Sequence, residues 1–138
     1  MKNICIFSSF FFLITAILAF YKKYYVYGFL FLLLLTTSVN IRFYNNTYSH
    51  ILDQVTIISI VIYGAFLFYK KCSSKPLNNR IIILQFLVLL AFFITIYLYY
   101  YGYYTNQYCF HENKTIGNLY HSLLHIISSY GHNIIIIM

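Results

Sequence analysis

The chain consists almost entirely of long apolar runs separated by short polar breaks. Crossing the hydrocarbon layer of a bilayer takes about 20 helical residues, with a range near 17 to 25. A backbone surrounded by lipid must satisfy its own hydrogen bonds, so runs of this length predict helices. We therefore expect an all-α fold, a single transmembrane domain built as an integral membrane helical bundle of about five transmembrane helices. The five runs are residues 4–20, 24–39, 51–69, 81–103 and 116–138.

The composition supports a lipid-facing exterior. Of 138 residues, 62% are hydrophobic and 8% are charged, whereas about a quarter of the residues in soluble domains are charged. A soluble domain of this size would need more polar residues to cover its surface. The net charge is +7, but the basic residues cluster at the ends of apolar runs instead of forming a continuous stripe. We therefore expect the bilayer as a partner and no nucleic acid, while nothing indicates an oligomeric state.

The distribution of basic residues predicts the orientation of the bundle. Cytosolic segments of membrane proteins carry an excess of Lys and Arg. If all five runs span the membrane, one face carries more of these residues, so we expect that face to be cytosolic. The N-terminus is then outside or lumenal and the C-terminus is cytosolic, in an organelle that the sequence does not name. The cytosolic set is Lys22, Lys23, Lys70, Lys71, Lys75 and Arg80, and the opposite set is Lys2, Arg42 and Lys114.

The first run has a second interpretation, as a cleaved signal peptide. Lys2 precedes its apolar stretch, and the small residues Ala16 and Ala19 lie near its end. The charge asymmetry favours retention of this run as a helix. Two N-glycosylation sequons, which begin at Asn45 and Asn113, both fall in loops predicted to be non-cytosolic. The sequons therefore agree with the five-helix topology.

Several polar side chains are predicted to meet at the non-cytosolic end of the bundle. His121 and His125 lie four residues apart, on one face of the last helix. Asp53 begins the third run and Ser38 ends the second, and the third and fifth helices run in the same direction, so all four residues share a similar depth. Polar groups are costly there and indicate function. Two imidazoles, a carboxylate and a hydroxyl suit a zinc-activated water. The alternative is that the histidines only hydrogen-bond neighbouring helices.

This pattern resembles the CREST superfamily of membrane hydrolases, which includes alkaline ceramidases, adiponectin and progestin receptors, and lipid-remodelling hydrolases of GPI anchors. The family has Ser-x-x-x-His at the end of the second helix, Asp at the start of the third, and His-x-x-x-His in the last. Ser38, Asp53, His121 and His125 match it, with a spacing from Ser38 to Asp53 like that of alkaline ceramidases. The resemblance implies His121 and His125 as Zn²⁺ ligands, Asp53 as the partner of the attacking water, Ser38 as its helper, and a ceramide-like membrane lipid as the substrate.

The chain departs from the family in two ways. Arg42 stands where the family has its first histidine, and a guanidinium has no lone pair to give a metal. The chain also has about five helices where the family has seven. His50 is a candidate third metal ligand, because it would share a helix face with Asp53 if the third helix begins one turn early. The alternative is that His50 is an ordinary loop residue, as we expect for Cys109 and His111, which lack a metal-binding spacing.

Two functions are compatible with these features. The first is a zinc-dependent hydrolase of a lipid amide or ester, with a ceramide-like substrate. The second is a catalytically inactive, shortened relative that acts through lipid binding or helix interaction, and Arg42 and the missing helices favour it. A small channel is less consistent with the sequence, because only the last helix carries several polar positions on one face.

Overall fold

The computed structural model describes residues 2–138, which form a bundle of five helices and contain no β-strand. The all-α fold predicted from the sequence is therefore confirmed. A π-helical turn at Tyr97–Tyr101 and a short turn at Gly102–Thr105 continue the fourth helix, and a 3₁₀ turn at Tyr108–Phe110 lies in the last loop. The five helices are α1 (Lys2–Tyr21), α2 (Tyr25–Phe43), α3 (Thr47–Ser74), α4 (Asn79–Ile96) and α5 (Lys114–Ile137).

The first four helices are long and apolar enough to cross a membrane, counting α4 together with its continuation. Their outer surfaces expose many large apolar side chains: Phe7 is 70% exposed and Phe86 is 63% exposed. A water-exposed surface of this kind is rare in soluble monomers. The bundle is therefore compatible with a membrane protein. Helix α5 has 24 residues, also enough to span at about 1.5 Å per residue, but polar side chains make it less apolar.

The helices pack in the order α3, α2, α1, α5, α4, with α1 in the middle. Consecutive helices α1, α2 and α3 are neighbours because their connections are short. Small side chains along α1, such as Ala16 and Ala19, are fully buried and allow close approach of the neighbouring helices. Helix α5 then lies against the other side of α1, between α1 and α4. The last helix therefore faces the first, although they are the two most distant helices in sequence.

Asparagine side chains begin three of the helices. Asn46 accepts a hydrogen bond from the backbone N–H of Ser49 at 2.8 Å, and Asn78 and Asn113 do the same for α4 and α5. These bonds satisfy backbone donors that have no partner in the first helical turn. Because Asn46 caps α3, that helix begins before the apolar run at 51–69 and includes His50 in its first turns.

Helix α5 buries a row of polar side chains against α1. Ser122 donates to the carbonyl oxygen of Asn118 at 2.8 Å and lies 3.6 Å from the sulfur of Cys5, and Ser129 donates to the carbonyl oxygen of Phe11 at 2.9 Å. Ser129 also hydrogen-bonds the hydroxyl of Thr15. Each polar group on this row thus has a partner on α1, which is what the apolar interior of a bundle requires. The polar face of α5 is turned inward and its apolar face outward.

A second contact joins α2, α3 and α5. The hydroxyl of Tyr27 on α2 hydrogen-bonds Nδ1 of His132 on α5. Helix α3 approaches both at Gly64, where an added Cβ would lie 2.9 Å from the Tyr27 oxygen and 3.0 Å from Cε1 of His132. Glycine is therefore needed at this point for α2, α3 and α5 to meet.

The C-terminal end of α5 is held by Lys71 of α3. Its Nζ donates hydrogen bonds to the carbonyl oxygens of Ile135 and Ile136 at 2.7 Å and 2.6 Å, and it lies 4.9 Å from the centre of the Tyr24 ring. The last carbonyl groups of a helix have no partner within the helix, and a cation there is favourable. Lys71 is thus a buried structural residue, whereas the other basic residues at this end of the bundle are exposed. They are Lys22, Lys23, Lys70, Lys75 and Arg80.

Candidate functional site

Ser38 and Asp53 lie together where α2 ends and α3 begins. Both side chains are buried. The Oδ1 atom of Asp53 accepts a hydrogen bond from the hydroxyl of Thr37 at 2.7 Å and a longer one from Ser38 at 3.4 Å. The short loop between the two helices brings these residues together despite their separation in sequence. The carboxylate is therefore fixed through one of its oxygens.

Thr37 is the closer of the two hydroxyl partners, and the sequence pattern did not single it out. Thr37 and Ser38 are adjacent near the end of the same apolar run. This pair of hydroxyl residues was the only sign in the sequence that Thr37 could contact Asp53. Neighbouring residues on a helix point in directions about 100° apart, which does not decide which hydroxyl meets the carboxylate. Only the packing of α2 against α3 places Thr37 nearer to Asp53.

His121 and His125 form a pair on α5. Their ring centres are 4.7 Å apart and the rings are nearly perpendicular, at 80°. The spacing of four residues places both side chains on one helix face, about one turn apart. His125 is buried, with the ring of Phe12 at 4.9 Å, and His121 is half-buried. Two imidazoles this close are suited to bind one metal ion.

Hydroxyl groups of α1 hold Nδ1 of His125. The Ser8 oxygen lies 2.9 Å from Nδ1, and the hydroxyls of Ser8 and Ser9 also lie 2.9 Å and 2.8 Å from the carbonyl oxygen of Cys5. When the Ser8 proton is donated to that carbonyl oxygen, Nδ1–H of His125 donates to Ser8 and Nε2 keeps its lone pair. Among the side chains described, none hydrogen-bonds Nε2.

Such an arrangement is typical of a metal-binding histidine. In metal sites the nitrogen that does not bind the metal usually donates its N–H to a neighbouring oxygen, which fixes the ring and its tautomer. Ser8 supplies that oxygen to His125, and Ser9 lies slightly farther from the same nitrogen, at 3.4 Å. The sequence analysis did not identify either serine, because their relation to His125 depends on the packing of α1 against α5.

Arg42 follows Ser38 by one helical turn and is half-buried in the last turn of α2. Its positive charge acts on Asp53 and on both His121 and His125. Among the described side chains no hydrogen bond joins the carboxylate pair to the histidine pair. Arg42 occupies the position where the resemblance places a histidine.

His50 is on α3 but is directed toward the preceding loop. Its side chain is exposed, and its Nε2 atom lies 2.7 Å from Oδ1 of Asn45. Within residues 2–138 no group of three His, Cys, Asp or Glu side chains is arranged to hold a metal ion. The two imidazoles of α5 thus fit a metal as a pair, and the structure does not place His50 with them.

The loop before α5 carries the remaining candidate donors. Nδ1 of His111 accepts a hydrogen bond from the backbone N–H of Asn113 at 3.0 Å, a contact within the loop itself. Burial raises the pKa of the Cys109 thiol to about 12, so the thiol stays protonated at neutral pH, and a metal binds the thiolate. Neither residue therefore acts as a ready metal donor in this arrangement.

Comparison of the chain with protein-family models, with curated proteins and with solved structures gives no match.

Proposed function

We propose that this chain is a membrane-embedded, zinc-dependent hydrolase of a lipid amide, ceramidase-like in its substrate class. The observation that carries the proposal is the hydrogen bond between Nδ1 of His125 and the oxygen of Ser8. With Nδ1 as the donor in that bond, the Nε2 lone pair of His125 is available beside His121, whose ring centre is 4.7 Å away. Apolar bundles do not keep such groups without a role, because polar atoms at membrane depth are costly.

His121 and His125 would hold the zinc ion, and the acid–base chemistry falls to the residues of α2 and α3. Zinc supplies Lewis acidity, which polarises a carbonyl group and acidifies water. Asp53 would accept the proton of the attacking water through Oδ2, because Oδ1 is occupied by the hydroxyls of Thr37 and Ser38, and would pass it to the amine that leaves when the amide C–N bond breaks. Thr37, the closer partner, keeps the carboxylate in one orientation, which a general base requires. Ser38, the weaker partner of Asp53, is the residue free to turn toward a substrate oxygen.

The proposed site lies at the non-cytosolic face of a five-helix topology. The six-to-three distribution of basic residues supports this orientation. The N-terminus is then outside or lumenal, and Lys71 with its basic neighbours lies in the cytosolic half. Cysteines introduced at Asn46 and Lys75 should react with a membrane-impermeant maleimide from opposite sides of sealed vesicles, and labelling of both from one side contradicts the orientation.

A second function is an inactive relative that binds lipid or other helices without catalysis. Its support is the position of Arg42, whose charge acts on both histidines and on Asp53. The Arg42 cation would raise the free energy of a zinc ion bound to these histidines. No third imidazole lies with His121 and His125 among the described residues. The same bundle and the same polar groups would then serve as a lipid-binding pocket.

A hydrolysis assay separates the two functions. The full chain in nanodiscs is given ceramide and ceramide 1-phosphate in separate reactions, each with a fluorescent acyl group, and release of the fatty acid is measured before and after zinc is removed with a chelator and restored. Hydrolysis should stop and return with the metal, and His121→Ala should abolish it, while His111→Ala, a loop histidine outside the pair, leaves it unchanged. Absence of release from both lipids by the zinc-loaded wild type, or equal release by His121→Ala, contradicts the hydrolase proposal.

A further inference from the structure

The Arg42 guanidinium has no partner of opposite charge in the part of the chain that the structure describes. A guanidinium offers five N–H donors in a planar fork, and none of them forms a hydrogen bond or an ion pair with a described side chain. The single buried polar side-chain atom without a partner in those residues is Oδ1 of Asn133. The guanidinium nitrogens are therefore not sealed inside the bundle and remain accessible to a ligand.

The one carboxylate near Arg42 is already engaged. Asp53 directs Oδ1 toward Thr37 and Ser38 and forms no ion pair with Arg42. The Arg42 charge also acts on His121 and His125, which offer no negative charge. A zinc ion on those histidines would add further positive charge. The surroundings of Arg42 therefore favour an anion supplied from outside the chain.

The position of Arg42 indicates which anion is available. It lies in the last turn of α2, next to the loop that joins α2 to α3, and so at the end of a membrane-spanning segment. At that depth the abundant anions are lipid phosphates. Two phosphate oxygens match the fork of a guanidinium, and the pair forms strong, charge-assisted hydrogen bonds.

We propose that Arg42 binds the phosphate group of a membrane lipid, so that the lipid recognised beside His121 and His125 is phosphorylated. Phosphate binding depends only on Arg42, whereas the conclusion that the substrate is a phosphorylated lipid amide rests on the proposed hydrolase function. The phosphate also offsets the repulsion between Arg42 and a metal ion. Anionic lipid and zinc should then each increase the affinity of the protein for the other, because such coupling is reciprocal.

Binding of a fluorescent ceramide 1-phosphate to the purified full chain in neutral detergent micelles tests the proposal. Arg42→Gln should weaken binding by about tenfold or more, and Arg42→Lys should give an intermediate loss because it keeps the charge without the fork. Arg80→Gln is the matched control, since Arg80 lies at the opposite end of the bundle and is exposed. Unlabelled ceramide should compete poorly, and unlabelled ceramide 1-phosphate should compete fully.

Several results would overturn the proposal. Equal binding by wild type and Arg42→Gln rules out Arg42 as the phosphate site, and an equal loss in Arg80→Gln assigns the effect to general charge attraction. Competition by inorganic phosphate as strong as that by the lipid assigns the site to a free anion. Chelator-treated protein should still bind ceramide 1-phosphate, so failure of the hydrolase proposal leaves this result standing. A wild-type chain that hydrolyses neutral ceramide but does not bind ceramide 1-phosphate would contradict the phosphate proposal alone.

Discussion

Nδ1 of His125 lies 2.9 Å from the hydroxyl oxygen of Ser8, across the interface between the last helix and the first. The Ser8 hydroxyl also lies 2.9 Å from the carbonyl oxygen of Cys5, so the contact ties the histidine ring to the backbone of α1. A serine near the start of the chain thereby holds Nδ1 of His125, and Nε2 has no hydrogen-bond partner among the described side chains.

Ser8→Ala should weaken zinc binding about 10- to 100-fold, as loss of the outer partner of a metal-binding histidine does in other sites. The ring would lose the acceptor that holds Nδ1–H and fixes its orientation. Zinc affinity is measured by competition with a fluorescent chelator. Ser59→Ala is the control, because the Ser59 hydroxyl only bonds back to the carbonyl of Val55. An unchanged affinity in Ser8→Ala would show that this bond does not support a metal ligand.

The sequence predicted the helices well because lipid leaves few alternatives for an apolar run. It also brought Ser38 near Asp53, since a short loop joins the helices that carry them, and it placed His121 beside His125 through helical periodicity. The helix order, by contrast, is set by side-chain packing between distant segments. The roles of Ser8 and Thr37 depend on that order, so no local pattern revealed them. Arg42 was recognised only as a departure from the family pattern, and its lack of an ion-pair partner among the described residues became visible in the structure.

Gly64→Ala should lower the free energy of unfolding by about 1–2 kcal/mol. The new methyl would collide with the Tyr27 hydroxyl and the His132 ring, at 2.9 Å and 3.0 Å from its carbon. This overpacking outweighs the gain of about 1 kcal/mol that alanine has over glycine in a helix. Unfolding is followed by circular dichroism in a denaturing-detergent titration.

A double-mutant cycle separates the clash at Gly64 from a general effect of the substitution. Tyr27→Phe removes the oxygen nearest to the new methyl, so Gly64→Ala should cost less in that background. An equal cost in both backgrounds, or a more stable single variant, contradicts the close three-helix contact.

Alkylation of Cys109 should continue to accelerate at pH values where an ordinary thiol has reached its plateau. Burial raises the pKa of this thiol from 9.0 to about 12, and only the thiolate reacts. The rate should therefore rise about tenfold for each pH unit from pH 8 to pH 10 in the folded protein. Mass spectrometry of the Cys109 peptide after timed labelling gives the rate. The denatured chain, in which the rate levels off near the ordinary pKa, is the control, and the same plateau in folded protein would contradict burial of the thiol.

Arg42→His should increase zinc affinity by about tenfold or more, because it removes a positive charge and adds an imidazole near the histidine pair. His50→Ala should leave zinc affinity unchanged, since the His50 ring is exposed and bonded to Asn45. Both variants are titrated beside the wild type. Loss of zinc in His50→Ala would show that His50 supplies the third ligand, and no change in Arg42→His would place Arg42 outside the reach of the metal.

The zinc content of the purified chain decides whether α5 carries a metal centre. Protein is exchanged into metal-free buffer, and zinc is measured by mass spectrometry against protein concentration. We expect about one zinc ion per wild-type chain and close to none in a His121→Ala, His125→Ala double variant that keeps its helical content. A wild-type chain that binds no zinc even when the metal is added, or a double variant that retains full occupancy, would contradict a metal centre on α5.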